Sequence, residues 1–270
     1  MLKKRIIFTL LYSDKYFYQS RNFNLQKVGD ISWLKENYDF QNISYFIDEL
    51  IILNISRKQK CIKDLIDTAK EITKNCFVPV TLGGGINNFL DAKVALSECA
   101  DKILINSSLF KDDLLLKISN NFGAQSIVVA IDLKKNKKNF YDVYINNGSK
   151  KVSDNLIEYL SKLETNNFGE ILINSIDKDG TGTGLDLELT SHIPKNLSNP
   201  VILAGGCGNF LHFEDGIKNS IVSAVSTANL LNFVGDGLKK CREKLINNKK
   251  NFPIWNINTI SRLNNIFNKI

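Results

Sequence analysis

Four features of the first half of this 270-residue chain recur 121 residues later. Glu49 and Glu170 open similar apolar runs, and Pro79 and Pro200 precede similar runs. Gly84-Gly85 match Gly205-Gly206, and Ile6–Leu11 lies over Ile127–Asp132 at the same offset. A constant offset across four elements marks two fused copies of one unit. Whatever one half builds, the other must build again, and the two must complete each other.

The unit alternates short apolar runs with helical patterns. The runs are Arg5–Leu11, Glu49–Ile55, Phe77–Leu82, Lys102–Asn106, Ser126–Asp132, Glu170–Ile176, Pro200–Ala204 and Ile221–Ser226. They are β-rich and continuously hydrophobic, as strands buried on both faces are. Between them Ile62, Leu65, Ile66, Ala69 and Ile72 keep helical spacing. So do Leu156, Tyr159, Leu160 and Leu163, with Ser153 in place for an N-cap. Eight runs with crossover helices predict an α/β fold, a (β/α)8 TIM barrel made of two half-barrels. Residues 1–246 are expected to form the barrel. Residues 247–270, rich in Asn, Lys and Ile, read as a C-terminal extension with a short helix.

Composition excludes several function classes. The net charge of +7 sits partly in clusters such as Lys134, Lys135, Lys137 and Lys138. No basic stripe is interleaved with aromatics, so nucleic acid is not an expected partner. No run reaches the roughly 20 apolar residues of a membrane helix, so none is expected to cross a membrane. Met1–Leu11 only faintly imitates a signal peptide and reads better as a first strand. Five cysteines without a CxxC pair, beside two histidines, argue against a zinc site and for reduced thiols in the cytoplasm. No metal or cofactor is expected.

In such barrels the loops after the strands make the active face. Gly83-Gly84-Gly85 and Gly205-Gly206-Cys207-Gly208 follow corresponding strands, and glycine amides there suit phosphate. Asn106-Ser107-Ser108, Ser226-Thr227 and Asp179-Gly180-Thr181 add polar groups. Two phosphate sites on opposite sides of the mouth follow, and with them a ligand phosphorylated at both ends. Asp132 ends its apolar strand, where a carboxylate can exchange protons. Its repeat partner is Leu11, which cannot. Cys207 sits in a loop that superficially resembles a nucleophile elbow, but Asn209 replaces the final glycine and no base is assigned, so it reads as an ordinary loop residue. Arg5, Glu49, Lys102 and Glu170 mark strand starts. Facing inward, they would pair as a neutral ring across the barrel floor, because unpaired burial of charge is costly.

Over about residues 1–245 the chain resembles the cyclase subunit of imidazole glycerol phosphate synthase, the HisF type. The resemblance rests on Lys4-Arg5-Ile6-Ile7, Asn22-Phe23, Gly29-Asp30, Asp48-Glu49-Leu50, Gly83-Gly84-Gly85-Ile86, Ala100-Asp101-Lys102, Val128–Asp132 and Ser175–Thr181. It implies an enzyme subunit that joins ammonia to a bisphosphorylated ribulose-formimino substrate. Ammonia would come from a separate glutaminase subunit docked under the barrel and pass through its centre. The resemblance makes Arg5, Glu49, Lys102 and Glu170 the ammonia gate and turns Asp101 and Gln125 toward the glutaminase. It assigns phosphate contacts to Gly85, Asn106, Gly180, Gly206 and Thr227, and keeps Asp132 as a catalytic acid.

The departures lie at the top of the barrel. The family's first catalytic Asp falls on Leu11, a loop Lys on Gln19, and a strand-two Asp on Asn54. Asp14, three residues past Leu11, is the acid nearest to replace it. This pattern resembles a divergent branch that delivers ammonia to an N-acetyl-sugar amidotransferase for acetamidino-sugar synthesis. Two alternatives stay open: an ordinary histidine-pathway cyclase, and a non-catalytic scaffold that activates the glutaminase.

Overall fold

The computed structural model describes residues 3–38, 43, 45–58, 60–74, 76–163, 167–194, 197–228 and 237–254. Eight parallel strands close on themselves. They are β1 (Arg5–Ser13), β4 (Glu49–Asn54), β5 (Val80–Gly83), β6 (Lys102–Ile105), β7 (Ile127–Lys135), β10 (Glu170–Ser175), β11 (Val201–Ala204) and β12 (Val222–Thr227). Each pairs with the next, and β12 pairs with β1, so the cylinder has no open edge. The expected barrel of two half-barrels is what the chain forms.

Alternation along the strands builds two cores. Ile7, Ile51, Leu104, Val128, Ala130, Leu172, Ile202 and Ala224 fill the barrel. Their neighbours, such as Ile6, Phe8, Leu50, Ile52 and Ile103, point outward against the helices. Both faces are dry, which is why the runs read as continuously apolar. The helices around the barrel are α1 (Ile31–Asn37), α2 (Ile62–Thr73), α3 (Phe89–Glu98), α4 (Leu114–Phe122), α5 (Leu156–Ser161), α6 (Phe210–Lys218) and α7 (Gly237–Asn247). The expected apolar faces of α2 and α5 are buried: Leu65, Ile66, Ala69 and Ile72 in one, Leu156, Tyr159 and Leu160 in the other. Among the described residues no helix is long and apolar enough to cross a membrane.

The duplication reaches further than the strands. β1 continues into an antiparallel hairpin, β2 (Tyr16–Arg21) with β3 (Asn24–Asp30). β7 does the same with β8 (Tyr141–Ile145) and β9 (Lys150–Ser153). The sequence did not announce these hairpins. One consequence is a correction at Ser153, which ends β9 and does not cap a helix. Asn155 caps α5, accepting from the Glu158 N–H at 3.1 Å. A second concerns the run at Phe77, whose strand begins only at Val80. Phe77 is half exposed, and Pro79 supplies a carbonyl to Leu50 but has no N–H for the ladder. The halves also diverge after β10, where a short 3₁₀ turn at Glu188–His192 stands in the place of α2.

After α7 the chain runs back under the barrel. The Lys4 N–H donates to the Asn251 carbonyl at 2.9 Å, and Phe252 is buried. The extension expected over 247–270 holds no helix at 248–254, and the rest of it lies outside the described residues. Arg242 on α7 donates to Asp48 at 2.8 Å and to the Pro253 carbonyl at 2.8 Å. Asp48 also accepts from the Ile6 N–H at 2.8 Å. This ion pair is buried to 4% exposure on both sides and ties β1, β4 and α7 together. Truncating one member leaves the other charge unpaired in the interior. Asp48→Ala or Arg242→Ala should therefore lower the urea-unfolding free energy by about 3–5 kcal/mol. A change below about 1 kcal/mol, the range of an exposed pair, would contradict a structural role.

Candidate functional site

Chemistry collects at both ends of the cylinder. At the floor, the first inward positions of four strands carry Arg5, Glu49, Lys102 and Glu170. Arg5 donates to Glu49 at 3.0 Å and to Glu170. Lys102 bridges the same two carboxylates at 2.9 Å each. Each acid thus touches both cations, and the four form a closed, neutral ring. Glu49 is the most enclosed and takes a further hydrogen bond from the Thr81 hydroxyl at 2.7 Å. Burial opposes the charge on Glu170, yet the Arg5 hydrogen bond and the charges of Arg5 and Lys102 outweigh it. They hold this carboxyl below the usual carboxylate range. The same carboxylates raise Arg5 above the ordinary guanidinium value in spite of its burial. Directly above lies the apolar interior of Ile7, Ile51, Val128 and Leu172.

Asp101 and Gln125 are exposed beside this floor. Asp101 precedes the ring's Lys102 and accepts from the Val80 N–H at 2.8 Å. Gln125 lies in the turn that enters β7.

At the mouth, the loops after the strands form two recesses, one for each half. Gly84, Gly85, Asn106 and Asp132 line a cleft of about 940 Å3. Gly180, Gly205, Gly206, Ser226 and Thr227 line a smaller recess of about 80 Å3, together with Leu11 and Gln19. Leu53, Leu172 and Asn174 line both. The duplicated glycines are set by close backbone approach. Gly84 has φ +81°, and a Cβ there would lie 2.0 Å from the Asn54 carbonyl oxygen. Gly205 has φ +93°, and its Cβ would lie 2.6 Å from the carbonyl oxygen of Ser175, which matches Asn54 by the repeat.

Asp179 and Thr181 both make hydrogen bonds within the protein. The Asp179 carboxylate accepts from the Ser20 hydroxyl at 2.5 Å and the Phe23 N–H at 3.0 Å. It fastens the β2–β3 hairpin over the mouth, and with Gly180 it lines the smaller recess. Thr181 turns to the Lys178 carbonyl at 2.7 Å and is not among the recess-lining residues. Ser226 bonds Thr9 at 2.7 Å, and Thr227 donates to the Cys207 carbonyl at 3.0 Å.

Asp132 ends the inward face of β7 on the floor of the larger cleft. Asn174 and Asn106 donate to its two oxygens at 3.3 and 3.2 Å. Burial dominates even so, and the carboxyl is pushed up to about 7. An acid with that proton affinity can both take and return a proton near neutrality. Leu11 offers nothing similar across the mouth, and Asp14 does not fill the gap. It sits exposed at the hairpin turn, bonded by the Ser13 hydroxyl at 2.9 Å. Asn54 is buried, its side chain accepting from the Ser56 N–H at 3.0 Å.

Lys60, Arg57 and Lys58 escaped the sequence reading. All three line the larger cleft in the loop after β4. Burial lowers the proton affinity of Lys60, opposed by the charge of Asp132. The signal was available as three cations within four residues following a strand. Cys207 is a loop residue whose thiol burial pushes well up, away from the reactive thiolate. The Nδ1 of His212 accepts from the Gly208 N–H, not from that thiol.

The geometry agrees with the kinship of the chain. Residues 18–234 match the family model described as "Histidine biosynthesis protein". A protein of Parasynechococcus marenigrum (strain WH8102), described as "Putative imidazole glycerol phosphate synthase subunit hisF2", is 48% identical over 245 residues, 90% of this chain and 91% of that one. The "Imidazole glycerol phosphate synthase subunit HisF" of Clostridium botulinum (strain Okra / Type B1) is 38% identical, covering 91% of this chain and 96% of its own. The protein of the same description from Bacillus cereus (strain G9842) is 34% identical with the same coverage. With the matching model spanning most of the barrel, the chain belongs to the histidine biosynthesis protein family, among its HisF-type members.

Proposed function

We propose that this chain is the synthase subunit of a glutamine amidotransferase of the imidazole glycerol phosphate synthase type. It receives ammonia from a glutaminase subunit seated on the barrel floor and delivers it to a phosphorylated ligand at the mouth. The observation that carries this reading is the neutral four-charge ring at the base of a closed apolar cylinder. A ring in which every charge is paired excludes ions, while a small neutral amine can hydrogen-bond its way past. Asp101 and Gln125 would face the glutaminase.

The finer reading is a divergent paralogue whose ammonia goes to acetamidino-sugar synthesis, with an N-acetyl-sugar amidotransferase as downstream partner. Its support is the vacancy at Leu11 beside an intact ring. Asp132 supports a second reading, the ordinary cyclase of histidine biosynthesis, because its proton affinity suits acid–base work and Lys60 and the glycine loops suit a phosphorylated substrate. Expression in a histidine auxotroph lacking its own cyclase separates the two. The divergent reading expects no growth from the unchanged chain and growth from Leu11→Asp. Robust growth from the unchanged chain overturns it and leaves the ordinary cyclase.

The environment of Asp132 has its own test. In the folded chain this carboxyl stays neutral up to about pH 7, whereas unfolded it ionises above pH ~4. Stability owed to the neutral acid is complete below pH ~4 and is lost as pH rises through 7. Asp132→Asn is neutral throughout. Its urea-midpoint advantage over the parent should grow from pH ~4 to pH ~7 and then level off. An advantage unchanged over that window would contradict the assignment.

A further inference from the structure

The two glycine-loop regions are followed by helices whose first turns are wired alike. In the first half, Asn88 caps α3 by accepting from the Asp91 N–H at 3.0 Å. Asp91 returns the favour, accepting from the N–H of Asn87, the residue before the cap, at 3.0 Å. In the second half, 121 residues on, Asn209 caps α6 by accepting from the His212 N–H at 3.2 Å. His212 Nδ1 accepts from the N–H of Gly208 at 3.1 Å. Both are reciprocal caps, and each side chain at the third helical position reaches back to the preceding loop. They differ in one respect. The first uses a carboxylate, which accepts at any pH near neutrality. The second uses an imidazole, the side-chain type whose charge ordinarily changes between about pH 5 and 8.

A neutral imidazole has one lone pair for accepting, and here it is spent on Gly208. The other ring nitrogen lies 3.3 Å from the side-chain amide nitrogen of Asn209. Protonation of Nδ1 would turn this acceptor into a donor and set it against the Gly208 N–H. No acid compensates among the described residues. On the same helix Glu214 pairs with Lys250 at 3.3 Å, and Asp215 with Lys218 at 2.8 Å. The loop packed against the ring presents Gly184. Farther along that loop Asp186 accepts from Tyr141 at 2.9 Å, and Lys178 packs against Gly206.

We infer that His212 is the positioning residue of the Gly205–Gly208 loop and makes that loop, alone of the two, sensitive to acid. Protonation removes the acceptor that holds the Gly208 N–H and releases the loop lining the smaller recess. The Gly83–Gly85 loop, held through Asp91, keeps its shape. The effect on anion binding rests on the reading of both loops as phosphate sites, whereas the effect on the Gly208 N–H does not.

The test uses the full chain, with sulfate as a probe that keeps its charge over the range. Amide exchange protection at Gly208 and Asn87, and sulfate titrations followed at both loops by NMR, are compared at about pH 5.5 and about pH 7.5. Acidification should cost Gly208 about 2- to 10-fold in protection, as the loss of one hydrogen bond would. Sulfate affinity at that loop should fall with it, while protection at Asn87, whose N–H is held by the Asp91 carboxylate, stays unchanged. His212→Gln keeps a neutral acceptor and should make both readings independent of pH. Unchanged Gly208 protection in the parent, or the same loss in His212→Gln, overturns the inference. So does tighter sulfate binding at the second loop in acid, which would make His212 a plain cationic ligand. If Gly208 responds as stated while sulfate binds neither loop, the positioning role is upheld and the phosphate reading falls.

Discussion

Two acids and two cations bonded in a circle at the base of the barrel govern what the rest of the molecule can be. Charges facing into a cylinder of Ile, Val and Leu are tolerable only as a closed set, because any unpaired member would bear the full cost of desolvation. That requirement fixes the register of the four strands that carry them, since a slip by one residue would turn each charge outward into the helix layer. It also leaves each of the four charges paired within the ring. Above the ring the interior is apolar, filled by Ile7, Ile51, Val128 and Leu172 among others.

The upper end shows how a duplicated scaffold can carry unequal chemistry. Strands, glycine loops and reciprocal helix caps repeat at one offset, and each half adds a hairpin after its first strand. The side chains break that symmetry. Asp132 faces a roomy cleft with Lys60 and Arg57 nearby, whereas Leu11 faces a small recess closed over by the first hairpin. Asp91 holds one loop through a carboxylate, and His212 holds the other through an imidazole. The repeat supplies two glycine-lined recesses, and Asp132 lines only the larger.

The fold was legible because closure buries both faces of every strand, so each announced itself as an unbroken apolar run. The ring was legible for a related reason: a charge at the start of such a run has few explanations. The β2–β3 hairpin was not, since its strands are polar and mostly exposed, and its turn is Asn22-Phe23. Those residues have φ of +50° and +61° with no glycine to signal it. The bond by which Asp179 fastens that hairpin was not legible either, because sequence shows its loop but not the hairpin beside it. Lys60 was passed over as one lysine among many; only its place after β4 on the mouth side sets it apart.

The claim that nitrogen travels through the ring can be measured by isotope competition. The chain is combined with its glutaminase and the acceptor system, with glutamine labelled with ¹⁵N at the amide and an excess of unlabelled ammonium in solution. Mass spectrometry of the nitrogen-bearing product should find predominantly ¹⁵N, because the transferred ammonia never mixes with the bulk. A product whose label matches the bulk ammonium would mean that nitrogen enters from solvent at the mouth, and the account of the ring as a passage would be wrong.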